Sequence, residues 1–205
     1  MVQAAATTGE VIVDHRGETG PEASHVRGAL IASSLQTLKD SGHFESYLAR
    51  LPKAHHEALL FCLASTWLPM ELAAEHYRAC DAIGLDEREM TRIGEVVSHR
   101  IMGTFLGTML RSARSLGATP TPWIVLRSYG KVCDRLMDGG AHTVMQQGPK
   151  DALIESRGIP LFRFRYFRTA MVGMCRGAAS IFARSCFSKE IQASEDRVRV
   201  SLRWV

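Results

Sequence analysis

A chain of 205 residues, with 46% hydrophobic and 22% charged side chains, has the composition of an ordinary globular protein and the length for one domain with its own core. The formal charge of +4 is uneven, because residues 1–100 carry 9 Lys and Arg against 14 Asp and Glu while residues 101–205 carry 16 against 7, a layout that fits two oppositely charged faces or an acidic partner. Five cysteines without a CxxC pair argue against a disulfide framework, the N-terminus lacks a secretory pattern, and no run approaches the ~18–20 apolar residues of a membrane span, so the expectation is a cytoplasmic protein.

Residues 1–24 are small, polar and glycine-bearing and read as a flexible leader, with VIVDH as a short-strand alternative. From Val26 the pattern tightens into a helix that Gly42 stops. A short helix spans Phe44 to Leu51. Pro52, placed in the first turn, starts another that runs to about Trp67. The adjacent His55 and His56 point about 100° apart on a helix and read as solvated surface. Pro69 opens MELAAEHYRACDAIGL, which Gly84 caps. On that helix Glu71, Glu75, His76 and Asp81 allow a metal reading, against the simpler one of a Glu75–Arg78 surface pair.

Asp86, three residues before Glu89, has capping-box spacing and starts the longest helix, to about Leu116. Ile101, Met102, Phe105, Leu106, Met109 and Leu110 cover more of its circumference than one stripe, which predicts central burial. Each of its glycines Gly103 and Gly107 costs about 1 kcal/mol relative to alanine, which suggests a close approach by another backbone or a ligand. His99 shares the sector of Met102 and Leu106 and is the leading polar candidate for a site. A helix from Pro122 to about Met137 follows, with Trp123, Tyr129 and Cys133 at helical spacing. Asp138-Gly139-Gly140 breaks it.

Two strands joined at Gly148-Pro149 come next, and Pro160 leads into a helix ending near residue 185. One face of that helix holds Phe164, Phe167, Met171, Met174 and Cys175; the other holds Arg165, Arg168, Arg176 and Arg184. Its Gly173 and Gly177 repeat the spacing of Gly103 and Gly107, which suggests that these two helices cross there. The closing strand alternates cleanly: Val198, Val200, Leu202 and Trp204 against Arg197, Arg199, Ser201 and Arg203.

The chain contains no phosphate-binding glycine loop, GxSxG, HExxH or paired Cys-His zinc pattern. No carboxylate pair is placed for acid–base work, and enzymatic activity is without support. The arginines lack interleaved exposed aromatics, which argues against nucleic acid.

The motifs VRGALI, ELAAEHYRACDAIGL, HRIMGTFLGTMLRSAR, DGGAHTV, GPKDALIESRGIPL with RYFR, and the final LRW cover residues 26–205. In that order they resemble an uncharacterised paralogous family of about this length known mainly from myxobacteria. More distantly they resemble the superfamily of haem-nitric-oxide-binding domains, vinyl-4-reductase (4VR) domains and TRAPP-type trafficking subunits. The resemblance implies a compact α+β domain, often dimeric, with a hydrophobic cavity that takes haem, phenol-like aromatics or a fatty-acyl group. The sequence departs from the haem branch, where Tyr-x-Ser-x-Arg is expected and Arg165-Tyr166-Phe167-Arg168 is the nearest stretch. That argues against haem on His99. Cys175 and Cys186 alone do not supply the zinc site of some 4VR-like domains.

The expectation is therefore an α+β protein: a helical N-terminal part packed on a small antiparallel sheet, with a long amphipathic helix before the last strand, in one domain over residues 25–205. Its leading function is a non-enzymatic sensor or regulatory domain for a small apolar molecule. His99, Tyr129 and Cys133 would be the polar contacts, with Met102, Phe105, Leu106, Met171 and Met174 as apolar lining. The alternatives are a homodimeric adaptor presenting Arg165, Arg168, Arg176 and Arg184 to an acidic protein, and a haem-binding gas sensor.

Overall fold

A computed structural model describes residues 9–17, 20–117 and 119–205. The fold is α+β and is organised by two helices, α5 (Glu87–Ser115) and α8 (Arg165–Ser180), which form the most extensive contact between any two elements. Asp86 caps α5, its carboxylate accepting the Glu89 amide proton at 2.7 Å. The helix buries Met90, Gly94, Ser98, Met102 and Leu106 at four-residue spacing, with Ile93 and Val97 beside them, as a single stripe. Sequence predicted burial around most of its circumference. Instead the last two turns lie largely at the surface, and His99, Arg100, Thr104 and Thr108 are exposed.

The crossing of α5 and α8 is closer than side chains permit. A Cβ on Gly94 would lie 1.9 Å from the Ala170 carbonyl oxygen, and one on Gly173 would lie 2.0 Å from that of Thr91. The predicted pairing of Gly103 and Gly107 with Gly173 and Gly177 is corrected here. Gly103 has open space around it, Gly107 meets only the end of the Arg111 side chain at 3.6 Å, and Gly94 is the true partner. Both glycine sets have one-turn spacing, so spacing alone does not separate them.

A five-stranded antiparallel sheet covers the other side of α8. Its strands are β1 (Glu10–His15), β5 (Ala141–Gly148), β6 (Asp151–Arg157), β7 (Cys186–Ala193) and β8 (Arg197–Trp204), in the order β1-β5-β6-β8-β7. The expected alternation in β8 is present, with Val198, Val200, Leu202 and Trp204 buried. Strand β7 was not expected. It is an edge strand whose apolar Phe187 and Ile191 face solvent, so it lacks the usual alternation. Residues 10–15, assigned from composition to a leader, pair with β5 as strand β1. Residues 1–8, 18 and 19 of that leader lie outside the described residues.

The N-terminal layer comprises α1 (Gly28–Asp40), α2 (Phe44–Leu48), α3 (His56–Leu60) and α4 (Met70–Ile83). A small sheet ties it to the rest: β2 (His25–Arg27) lies between β3 (Trp67–Pro69) and β4 (Met137–Asp138). The helix predicted from Pro52 to Trp67 shrinks to α3. Phe61 and Leu63 beyond it are exposed, and the backbone there serves α1, whose Gly28 and Ala29 amides donate to the Thr66 and Ala64 carbonyls. The helix predicted from Pro122 is two short ones, α6 (Trp123–Leu126) and α7 (Tyr129–Cys133). Val125, Leu126, Val132 and Cys133 keep continuous helical spacing across the break, so periodicity could not locate it. Among the described residues no helix is long and apolar enough to cross a membrane.

The polar residues of α4 are spent on architecture. Glu75 pairs with Arg78. His76 is fully buried, with Tyr47 Oη 3.0 Å from Nδ1 and Ser34 Oγ 3.1 Å from Nε2. Burial pushes its pKa down to about 3, so it is neutral. Asp81 accepts the Arg165 and Tyr166 amides at 3.0 and 2.6 Å, capping α8 from another helix. No group of three His, Cys, Asp or Glu side chains placed to hold a metal occurs among the described residues.

Candidate functional site

Behind α7 lies a cavity of about 40 Å³. Met102 of α5 closes one side, and Val125 and Leu126 of α6 another. Tyr129, Val132 and Cys133 come from α7, and Met171, Met174, Cys175 and Ala178 from α8. Ile154 and Leu202 form the floor on the sheet, with Leu136 and Met137 completing the wall. The α8 residues gather because 171, 174, 175 and 178 lie on one helical face; the two sheet residues are inward members of neighbouring strands.

One buried polar string reaches this apolar space. The Tyr129 hydroxyl lies 4.0 Å from Met171 Sδ and 3.5 Å from Ser156 Oγ, and Cys133 and Cys175 line the same cavity. Ser156 Oγ is 2.9 Å from His142 Nδ1. The His142 ring stacks at 6.2 Å on His15, which meets Asp134 at 3.0 Å; Arg16 joins the same carboxylate at 2.9 Å. Nε2 of His142 is buried without a hydrogen-bond partner.

Burial keeps Tyr129, Cys133, Cys175 and His142 neutral. It pushes the Tyr129 and Cys133 pKa values well up and that of Cys175 to about 11. It depresses His142 to about 4, with the neighbouring His15 acting in the same direction.

The back of α7 rests directly on strand β1. A Cβ on Gly130 would fall 2.3 Å from the His15 ring, so α7 and β1 touch through a glycine. With Asp134 holding His15 and Arg16, the cavity wall and the N-terminal strand are mechanically joined.

Of the residues singled out from sequence, Met102, Tyr129, Cys133, Met171 and Met174 meet at the cavity. Three do not. His99 is exposed on the outer side of α5. Phe105 is half-buried beneath the Arg135 guanidinium, 4.4 Å from its ring centre. Leu106 is fully buried in the core but is not part of the lining. The helical wheel that put all three in one sector assumed a pocket running further along α5. Cys175 and Ala178 were missed as lining although they share the face of Met171 and Met174. His142 and Ser156 were missed because their strands alternate poorly.

The four arginines expected to form a partner face have mostly internal partners. Arg176 pairs with Glu95, Arg168 with Glu190 and the Phe162 carbonyl, and the Arg165 guanidinium reaches the Leu85 carbonyl at 3.4 Å. Arg184 is exposed.

No protein-family model and no curated protein matches the chain. Solved structures do. The Fe(II) unliganded H-NOX protein from K. algicida superposes with a TM-score of 0.60 at 10% identity, over 87% of this chain and 96% of that one. A point mutant of the same K. algicida protein gives 0.63 at 10% identity with the same coverage. An oxygen-binding H-NOX domain related to soluble guanylate cyclases, in its oxygen complex, gives 0.55 at 11% identity, over 87% and 94%. The chain therefore has the H-NOX fold.

Proposed function

We propose that this chain is a non-enzymatic ligand-binding sensor or regulatory domain, and that its ligand is a small apolar molecule received in the cavity behind α7. The carrying observation is the cavity itself: apolar and centred where α5, α6, α7, α8 and the sheet meet. Native cores leave few voids larger than a water molecule, so an apolar one at the junction of five elements is a default ligand site. The neutral state of Tyr129, Cys133 and Cys175 supports binding over catalysis. The output would follow from geometry. A ligand pressing on α7 pushes Gly130 against His15 and shifts β1, because nothing compressible lies between them.

The solved neighbours include haem proteins, so the fit of haem to these residues matters. The lining contains no histidine; His99 is exposed, and His142 is bonded to Ser156 behind Tyr129. A free volume of about 40 Å³ is far smaller than a porphyrin. These residues do not fit haem, and added haem is expected to give no Soret band.

The test is to purify the protein, identify any copurified molecule by native mass spectrometry, and measure melting under pressurised xenon, an apolar probe small enough for the space. A rise in melting temperature that Ala178→Leu abolishes supports the reading. No bound molecule and no shift under xenon sinks it.

A further inference from the structure

The chemistry of the cavity wall is unusual in one respect. Six of its fourteen lining residues carry sulfur: Met102, Cys133, Met137, Met171, Met174 and Cys175. In the whole chain only fourteen of 205 residues, nine Met and five Cys, do so. Met171 Sδ lies 4.0 Å from the Tyr129 hydroxyl, and Cys133 and Cys175 line the same space. Methionine and cysteine pack readily into irregular cores, but six in one small lining exceed the share of sulfur in the chain.

We propose that the cavity is a soft-metal site that takes one Cu(I) ion, with a thiolate from Cys133 or Cys175 and thioether sulfur from Met171 and its neighbours as donors. The proposal rests on the cavity being the ligand site and changes the class of ligand it admits. Thiolate and thioether donors select Cu(I) among common cellular metals, whereas carboxylate- and imidazole-seeking ions find neither group in the lining. Charge gives the same answer. A monovalent cation with one thiolate is neutral overall and tolerates an apolar site; a divalent ion with one thiolate leaves a buried net charge. Size agrees, because a bare ion fits a space of about 40 Å³ that excludes larger cofactors.

The binding step balances as Cu⁺ plus one Cys–SH giving Cu–S–Cys plus H⁺, with no change of oxidation state. The released proton is taken up by solvent.

The experiment uses the full chain with Cys62→Ser and Cys186→Ser, which removes the two half-buried thiols outside the site. Cu(I) is titrated anaerobically against a chromophoric chelator, with the ultraviolet sulfur-to-copper absorption followed in parallel. The expected result is one Cu(I) per chain. Cys133→Ser combined with Cys175→Ser should weaken binding by more than the ~10–100-fold loss typical of a change to an outer-shell partner. Ala178→Leu, which fills the space and removes no sulfur, should abolish the absorption while circular dichroism stays unchanged. Cu(I) bound equally well by the filled variant or by the double-serine variant overturns the assignment. So does the absence of stoichiometric binding. If xenon raises the melting temperature while Cu(I) fails, the cavity reading stands and the metal falls.

Discussion

Replacing Gly94 by alanine is the sharpest probe of the α5–α8 crossing on which the cavity depends. The new Cβ would stand 1.9 Å from the Ala170 oxygen, whereas real Cβ contacts essentially never fall below 3.0 Å. The two backbones must therefore part by at least 1.1 Å, the difference of those distances. The obstacle is helix backbone, which cannot rotate away as a side chain would. Overpacking of a tight core costs up to ~3 kcal/mol, and the alanine recovers about 1 kcal/mol of helix propensity, so the net loss is up to about 2 kcal/mol. Gly173→Ala, 2.0 Å from the Thr91 oxygen, should behave alike. Gly103→Ala is the internal control. It has the same chemistry on the same helix with nothing within 4 Å, so it should gain about 1 kcal/mol. Thermal melts read this as a fall of up to roughly 4–8 °C for Gly94→Ala and a rise of roughly 2–4 °C for Gly103→Ala. Equal shifts at the two positions, or a stabilised Gly94→Ala, would refute the crossing geometry.

Acid sensitivity follows from the two buried neutral histidines. His76 at about 3 and His142 at about 4 stay unprotonated in the fold while the unfolded chain takes up protons near pH 6.5. Stability therefore falls as pH drops below about 6.5, by about 2 kcal/mol per histidine at pH 5. Urea unfolding at pH 7 and pH 5 should show this loss, roughly halved in His76→Gln; an unchanged slope in that variant contradicts the assignment. Asp81→Ala removes the cap of α8 and should cost ~1–2 kcal/mol in the same assay, with Asp81→Asn costing less because one acceptor oxygen remains. A neutral Asp81→Ala would mean that α8 starts unaided. Filling the cavity with Ala178→Leu should raise or preserve the melting temperature, because the new methyl groups replace empty space; a loss above about 3 kcal/mol would mean the space is already packed.

Much of the fold was legible because its signals are local. The Asp86 cap, the Gly84 terminator and the inward Val198-Val200-Leu202-Trp204 set each reflect a rule that acts within a turn or a strand. Strands β2, β3 and β4 were not read that way, and β1 only as the VIVDH alternative to a leader. Each is short or lies in a segment without alternation, and pairing with distant partners defines it, as His25–Arg27 does between Trp67–Pro69 and Met137–Asp138. The site divides along the same line. Tyr129, Cys133, Met171 and Met174 come together at the cavity because helical spacing puts them on inward faces. His99 was misplaced because α5 exposes its outer side just where the wheel is most apolar, with Ile101 and Phe105 only partly covered. His142 and Ser156 face each other across β5 and β6, a relation that register fixes and composition does not.

The most direct test of the central claim is diffraction from crystals pressurised with xenon, a polarisable apolar probe known to occupy dry cavities. A single xenon atom enclosed by Met171, Cys133 and Ile154, and absent in Ala178→Leu, is the predicted result. Crystals with xenon bound elsewhere and none behind α7 would contradict the account.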